Sequence, residues 1–329
     1  MMGFWPFAFF SQGTWRLYGI VFAGLTLGPG CASSPTPIES GISSLSHQPR
    51  TDLPVRGISA HRGGLLGCPV NTIGAFQRAI CQGVHQIELD VRATADGEIV
   101  VAHDDRVTDE QGRTTSISES TLAELQSLRL KPCAGEQEWH RIPTLKEALR
   151  DMPQNVWISV DIKDNNPLIG RLVAETVAKA GRLSQTIFGT RDETDLAVRR
   201  VAEEAGAESW VANMTRQIFR FQYVDSTISS SDEFIQLSFL RGRPGPKTMK
   251  RLKQAGVRVT YSWLREEDEH ELKQDLRDLF DRGVDFVLVD HAAPAMKATC
   301  ALGIPTVVPR WNETPLFTCP APPSCAPAQ

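Results

Sequence analysis

Carboxylate side chains recur at alternate positions in one β-rich segment of the chain. Glu88 and Asp90 alternate with the apolar residues Ile87, Leu89 and Val91, so on a strand both acids point to one face. Two acids side by side on a buried strand repel each other unless a divalent cation or basic partners compensate them. Acids on an exposed strand would need no such compensation, but the apolar surroundings favour a buried strand.

A second β-rich segment repeats this arrangement further along the chain. Within residues 157–163, Asp161 and Lys163 share one face of the predicted strand. Carboxylates from two neighbouring strands could therefore converge on one hard cation, which prefers oxygen ligands.

Two histidines stand where predicted strands end. His61 follows the segment 57–60, and His103 follows the segment 98–102. Each is a candidate for proton transfer beside a carboxylate-bound metal. Either histidine alone could be structural, but two histidines and three acids at strand ends together indicate an active site.

The elements that must position these residues alternate between β-rich and helical patterns. Eight strands are predicted, at residues 57–60, 86–91, 156–162, 186–189, 208–212, 233–238, 258–262 and 285–289. Eight strands, each followed by a helix over about 250 residues, predict an α/β protein with a (β/α)8 TIM barrel. A doubly wound open sheet is the alternative, but no GxGxxG loop follows the first strand.

One insertion interrupts the regular spacing, between the second strand and the second helix. It contains a short strand at 98–102 and a helical piece at 119–128, ahead of the helix near 144–150. At the carboxyl edge of a barrel, such an insertion adds walls to a substrate pocket.

The two ends of the chain differ in composition from the barrel. Residues 1–31 resemble an export signal of the bacterial lipoprotein type, which would anchor the protein in the periplasm or cell envelope through a lipid on Cys31. A cleaved signal without lipid and an uncleaved anchor are the alternatives. Residues 32–55 are predicted to be a Ser/Pro-rich linker, 56–310 the barrel, and 311–329 a Pro- and Cys-rich tail.

The remaining cysteines suit an exported protein. Apart from Cys31 there are six, enough for three disulfides in an oxidising compartment. Sequence cannot choose the pairing, although proximity weakly favours Cys68–Cys81 and Cys319–Cys325.

Composition narrows the class of protein. The chain has 329 residues, a net charge of −4, 41% hydrophobic residues and 22% charged residues. These values exclude a disordered chain, a collagen-like repeat and a multi-span membrane protein. The slight acidity also argues against a nucleic-acid partner. His85 and the run 219–221 are expected to pack in the core.

Six short motifs follow one another in order along the chain. They are His61-Arg62-Gly63, Pro69-Val70-Asn71-Thr72, Glu88-Leu89-Asp90-Val91, Asp96-Gly97, Val100-Val101-Ala102-His103-Asp104 and Asp161-Ile162-Lys163. Each motif is weak alone, but the ordered series is specific and resembles the glycerophosphodiester phosphodiesterase family. The likeness is densest from His61 to Asp104 and continues, more weakly, to about Asp290.

The resemblance implies a function and a role for each of eight residues. The metal ligands would be Glu88, Asp90 and Asp161, and the acid/base pair His61 and His103. Arg62 and Lys163 would lie close to the substrate phosphate, and Trp263 would line the pocket. The implied reaction is the hydrolysis of glycerophosphodiesters to an alcohol and glycerol 3-phosphate, with one divalent cation, Ca²⁺ or Mg²⁺.

The chain also departs from the family pattern. Val70 stands where the family usually has a glutamate, and Asp161 stands where a glutamate is more common. Two alternatives therefore stay open: cleavage of a larger lipid phosphodiester, as by a lysophospholipase D, and a catalytically inactive envelope binding protein.

Overall fold

The computed structural model describes residues 52–65, 67–214, 219–264, 269–312, 314–320 and 325. The predicted signal at 1–31, including Cys31, and most of the predicted linker at 32–55 lie outside the described residues. Within the described part of the chain, no helix is both long and apolar enough to cross a membrane.

Eleven strands are found in the described residues. In chain order they are β1 (Gly57–Ala60), β2 (Gln86–Ala93), β3 (Ile99–Val101), β4 (Arg106–Thr108), β5 (Thr114–Ser116), β6 (Trp157–Ile162), β7 (Thr186–Thr190), β8 (Trp210–Asn213), β9 (Phe234–Ser238), β10 (Arg258–Ser262) and β11 (Phe286–Val289). All except β3, β4 and β5 form one parallel sheet in chain order. Because β1 pairs with both β2 and β11, this sheet closes into the predicted eight-stranded barrel, and the open-sheet alternative is excluded.

Helices follow the barrel strands and cover their outer faces. The described helices are α1 (Ile73–Cys81), α2 (Leu122–Gln126), α3 (Leu145–Asp151), α4 (Pro167–Lys179), α5 (Asp192–Glu204), α6 (Arg220–Ser229), α7 (Pro246–Gln254), α8 (Glu269–Asp281) and α9 (Ala292–Cys300). Their starts are specified locally: the Thr72 side chain accepts the Ala75 N–H at α1, and Thr144 with Glu147 forms a capping box at α3.

Side chains on the barrel strands alternate between two environments. Outward residues pack against the helices in one large core. Inward residues at the amino ends of four strands form an aromatic floor, made of Trp157, Trp210, Phe234 and Phe286. The rings of Trp157, Trp210 and Phe234 meet edge to face, and the Arg258 guanidinium lies 5.2 Å from the centroid of the Phe234 ring. The carboxyl ends of the strands are therefore left for polar side chains.

The insertion between β2 and α3 is confirmed, and it carries β3, the β4–β5 hairpin and α2. Strand β3 runs antiparallel to the end of β2, with Val91 opposite Val101. The insertion has a small apolar core of its own, which includes Ile117 and Leu125. This core holds the segment that ends in His103 against the barrel.

Two expectations about packing have different outcomes. His85 is buried, accepts a hydrogen bond from the Ile58 N–H and contacts the Pro305 carbonyl, so its structural role is confirmed. Phe219 and Phe221 are 56% and 59% exposed, so the prediction that this run packs in the core is wrong. Phe219 is the N-cap of α6 and Phe221 is its second residue.

Three disulfides join the six cysteines, as the even count predicts, but the favoured pairs are wrong. The bonds are Cys68–Cys133, Cys81–Cys319 and Cys300–Cys325. Cys68 precedes the nine-residue helix α1 and Cys81 is its last residue. A helix of that length spans about 13 Å, well beyond the separation that a disulfide bridges.

Candidate active site

Three buried carboxylates meet at the carboxyl ends of β2 and β6. Asp90 and Asp161 are register partners on these adjacent strands, and Glu88 lies two residues before Asp90 on the same face. One oxygen from each of the three lies within 4.8 Å of the others. The structure thus brings together the three acids that the sequence predicts as metal ligands.

Lys163 and Arg62 supply positive charge to this cluster. The Lys163 Nζ lies 2.6 Å from Asp90 Oδ1 and 2.5 Å from Asp161 Oδ2. The Arg62 Nε lies 3.1 Å from Asp90 Oδ2, and the Arg62 backbone N–H donates to Glu88 Oε2 at 2.9 Å. These two cations leave one negative charge uncompensated among the three acids. A third cation, Arg191, lies further away, with its guanidinium 4.0 Å from Asp161 Oδ1.

The backbone after β1 is shaped for these contacts. Arg62 has φ +52° and Asn71 has φ +59°, both in the left-handed region. The Asn71 side chain donates to Asp90 Oδ2 at 2.8 Å and accepts the Asp90 N–H at 3.3 Å. Asn71 was not predicted as a site residue, although its place in the motif Pro69-Val70-Asn71-Thr72 is a signal that could have found it.

Burial and mutual repulsion set the protonation of the acids. Burial, followed by the charges of Asp90 and Asp161, raises the pKa of Glu88 well above its usual range. Burial acts to raise the pKa of Asp90, but the charge and hydrogen bond of Lys163, the hydrogen bond from Asn71 and the charge of Arg62 together lower it. The pKa of Lys163 is raised because Asp161 and Asp90 outweigh its burial. Without further positive charge, the cluster therefore favours a proton on Glu88.

The donor set fits a hard divalent cation. All the candidate ligand atoms are carboxylate oxygens, which Ca²⁺ and Mg²⁺ prefer. Asp161 Oδ1 is buried and accepts no hydrogen bond from the described residues. The pKa of Glu88 is raised by burial and by the charges of Asp90 and Asp161, and a doubly charged ion at the cluster would lower it.

Both candidate histidines open onto the cavity that contains the acids. This cavity has a volume of about 360 Å³ and lies at the carboxyl mouth of the barrel. The His61 Nδ1 lies 2.7 Å from Asp290 Oδ1, and the His103 Nδ1 lies 2.8 Å from Asp104 Oδ1. Asp290 directly follows the last barrel strand, β11, and its contact with His61 places it beside the cavity.

The far wall of the cavity comes from the second half of the barrel. Its apolar members include Met214, Phe239, Leu240, Leu264 and Leu288. Arg220 and Arg241 add positive charge there. None of these seven residues was predicted as a site residue, because Arg220 begins helix α6 and the others lie on loops or strands with no distinguishing motif.

Trp263 does not lie on this wall. Its side chain is 5% exposed and packs outside the barrel against Tyr261 and Phe239, with the Arg243 guanidinium 5.3 Å above its ring. Side chains alternate along β10, so Trp263 shares the outward face with Tyr261, whereas Ser262 and Leu264 face the cavity. The implied pocket role of Trp263 is therefore not supported.

Three larger cavities lie away from the barrel mouth: two of about 880 and 940 Å³ beside α3, and one of about 630 Å³ beside His85. Several of the charged residues beside α3 form surface ion pairs, such as Arg78 with Glu136 and Arg141 with Glu147. Among the described residues, none of the three cavities holds a group of three converging acids, so the smaller cavity at the barrel mouth is the candidate active site.

The residues that build this site match a known family. Residues 61–171 match the Glycerophosphoryl diester phosphodiesterase family, and this range contains both histidines and all three acids. This match bears out the resemblance that the motifs indicated. Glycerophosphoryl diester phosphodiesterases depend on a divalent metal, and the acidic cluster described above could hold one.

Two relatives show how far this similarity extends. A human lysophospholipase D, GDPD1, is 35% identical over 137 residues, which are 40% of this chain and 43% of that protein. A probable glycerophosphodiester phosphodiesterase 2 of Mycobacterium tuberculosis is 26% identical over 260 residues, which are 76% of this chain and 91% of that protein. The matched region is therefore less than half of the human relative.

A solved structure has the same barrel fold as this chain. It is that of an Oleispira antarctica phosphodiesterase in complex with the product sn-glycerol-3-phosphate. The TM-score is 0.57 at 20% identity, and the match covers 74% of this chain and 97% of that chain. At this identity the likeness shows a common fold, whereas the choice of substrate has to be argued from the side chains of this chain.

Proposed function

We propose that this protein hydrolyses glycerophosphodiesters to an alcohol and glycerol 3-phosphate, with one divalent cation, Ca²⁺ or Mg²⁺. One observation carries the proposal: three buried acids and two carboxylate-paired histidines line a single cavity at the barrel mouth. Glu88, Asp90 and Asp161 would hold the cation. When bound, it would polarise a phosphoryl oxygen and offset the charge that develops in the transition state.

Arg62 and Lys163 would neutralise the rest of the phosphate charge. Both line the cavity, and both already contact Asp90. A phosphodiester carries a negative charge that repels nucleophiles, and fixed cations in a cavity of low polarity lower this barrier. Asn71 keeps Asp90 oriented towards these cations.

The two histidines would divide the proton transfers. With its proton on Nδ1, His61 would donate a hydrogen bond to Asp290. The Nε2 atom of His61 would then be free to accept the proton of the nucleophile. His103 would then give a proton to the leaving alkoxide, and the two roles would exchange in the return step. The nucleophile is either water or the neighbouring glycerol hydroxyl, which would first form a cyclic phosphate.

A second function is favoured by the apolar far wall. Met214, Phe239 and Leu264 are unlike a pocket that has to hold only glycerol and a small head group. They suit part of an acyl chain, as in the cleavage of a lysophospholipid by a lysophospholipase D. An inactive binding protein is the third possibility, but it would have no need of histidines held by carboxylates.

We further propose that the protein is exported and anchored in the cell envelope through Cys31. The disulfides Cys68–Cys133, Cys81–Cys319 and Cys300–Cys325 support an oxidising compartment. The signal-like composition of residues 1–31 supports the route.

Turnover of two substrates by the full chain tests these functions. Glycerophosphocholine and lysophosphatidylcholine would each be assayed with Mg²⁺, with Ca²⁺ and with a chelator. We expect metal-dependent turnover of at least one substrate. His61→Ala and His103→Ala should each lose about 10²–10⁴-fold in rate, whereas His270→Ala, on the outer helix α8, should not. No turnover with either metal would instead support the binding protein, and wild-type rates in both cavity variants would contradict the acid/base roles.

A further inference from the structure

Exposed apolar side chains are grouped beside the cavity mouth. Phe219, Phe221 and Leu240, here called the mouth patch, are 56%, 59% and 81% exposed. The two phenylalanine rings stack with their centroids 5.7 Å apart. Large aromatic side chains in water are costly unless they have a partner, so a contiguous group of this kind marks a contact surface.

The mouth patch is held in place by Arg220. This residue lies between the two phenylalanines in sequence and donates to the backbone carbonyls of Arg241, Gly242 and Arg243. These bonds tie the start of α6 to the 3-10 turn Phe239–Arg241, which carries Leu240. These hydrogen bonds therefore fix the backbone segments that carry the exposed side chains of the mouth patch.

The mouth patch lies beside the candidate active site. Leu240 and Arg220 both line the catalytic cavity, and the patch lies on the connections that follow β8 and β9. Exposed Leu65 and Leu168 lie on other connections that follow barrel strands. These side chains therefore lie at the same end of the barrel as the cavity.

Charge decides what kind of partner fits the mouth patch. Arg241 is exposed beside Leu240, and no described carboxylate forms an ion pair with Arg220 or Arg241. Arg243, by contrast, is neutralised by Asp275 and Asp278. Aromatic and aliphatic side chains next to uncompensated arginines are the combination that binds the interface of a membrane with anionic lipid.

We propose that the mouth patch docks the catalytic cavity onto a phospholipid surface that carries anionic head groups. This inference rests on the proposed function and deepens it, because it assigns the enzyme a lipid phosphodiester presented at a surface. Phe219 and Phe221 enter the interfacial layer, Arg241 contacts anionic head groups, and the substrate reaches the metal-binding acids past the apolar far wall.

Site-specific quenching tests the docking without reference to catalysis. A tryptophan introduced into the full chain by Phe221→Trp is compared with one introduced by Val308→Trp, in vesicles of phosphatidylcholine and phosphatidylglycerol with brominated acyl chains. Val308 is equally exposed but lies near the amino ends of the strands, where its carbonyl accepts from Asn155. We expect quenching of the added tryptophan at position 221 only. No quenching at 221, or equal quenching at both positions, overturns the proposal, as does a concentration-dependent dimer that buries position 221.

Kinetics test the consequence for substrate choice. Phe219→Ser with Phe221→Ser should lower turnover of lysophosphatidylcholine in vesicles about tenfold or more, while turnover of soluble glycerophosphocholine is unchanged. The matched control, Val55→Ser with Val308→Ser, should change neither rate. Equal loss on both substrates, or loss on neither, contradicts the docking role. If the wild type hydrolyses nothing, the proposed function fails, and the quenching result still decides the docking surface.

Discussion

The Nδ1 atom of His61 lies 2.7 Å from Oδ1 of Asp290, although 229 positions separate the two residues. Closure of the barrel brings them together, because β1 and β11 pair with Ala60 opposite Val289 and each residue directly follows its strand. The carboxylate holds the imidazole with its other nitrogen available to the cavity. Asp290 is thus a positioning residue for a proposed general base.

Asp290→Asn should reduce kcat about 10²-fold or more with little change in KM. An asparagine amide can donate to Nδ1 and so favour the tautomer with the proton on the wrong nitrogen for a base. Steady-state kinetics on glycerophosphocholine would measure the effect, with Asp281→Asn at the end of α8 as the control. A kcat like that of the wild type would contradict the positioning role.

Glu88→Gln should weaken divalent metal binding at least tenfold. It removes one of three charged oxygen donors with almost no change in shape. The melting temperature of the wild-type protein should rise with added Mg²⁺ or Ca²⁺ because the ion binds only the folded chain. The rise should be much smaller in Glu88→Gln and unchanged in the exposed control Glu98→Gln. An equal rise in all three proteins would exclude these acids as the metal site.

His85 should make the protein less stable in mild acid. Burial lowers the pKa of His85 from 6.5 to about 4, so between these values the unfolded chain binds the proton more readily. The contribution of neutral His85 to the free energy of unfolding is complete above pH 6.5 and is lost as the pH falls towards 4. About 2 kcal/mol of the free energy of unfolding should disappear between pH 7 and pH 5.

Urea unfolding at both pH values would measure this loss. His85→Gln should reduce the difference between the two pH values, whereas His270→Gln, on the outer helix α8, should not. Gly57 supports the close packing of the ring, since a Cβ there would lie 2.2 Å from the His85 Cγ. An unchanged pH dependence in His85→Gln would rule out this histidine as the cause.

Loss of the Cys81–Cys319 disulfide should cost more stability than loss of Cys300–Cys325. The first spans 238 positions and the second 25. If a disulfide stabilises by reducing the entropy of the unfolded chain, Cys81–Cys319 should stabilise the fold by about 2 kcal/mol more than Cys300–Cys325, because its loop is longer. Thermal unfolding of Cys81→Ser with Cys319→Ser, compared with Cys300→Ser with Cys325→Ser, would measure it. An equal or reversed order would show that native-state contacts dominate.

Much of the barrel could be predicted because its signals are local. The predicted strands 57–60 and 258–262 coincide with β1 and β10, and the alternation around Glu88 and Asp90 correctly placed both acids on one face. Helix α6 was expected only from the alternation of strands and helices, and no bounds were assigned to it. Three of its residues, Tyr223, Val224 and Thr227, are buried.

The sequence by itself indicated the family resemblance, the barrel and the acids and histidines proposed for the site, since strand alternation and motif order are properties of consecutive residues. Only the tertiary structure decided the partners: Asp290 on His61, Asn71 on Asp90, the disulfide pairs and the outward position of Trp263. Each of these depends on which strand or helix ends meet when the barrel closes. That closure joins residues far apart in the chain, and no local pattern encodes it.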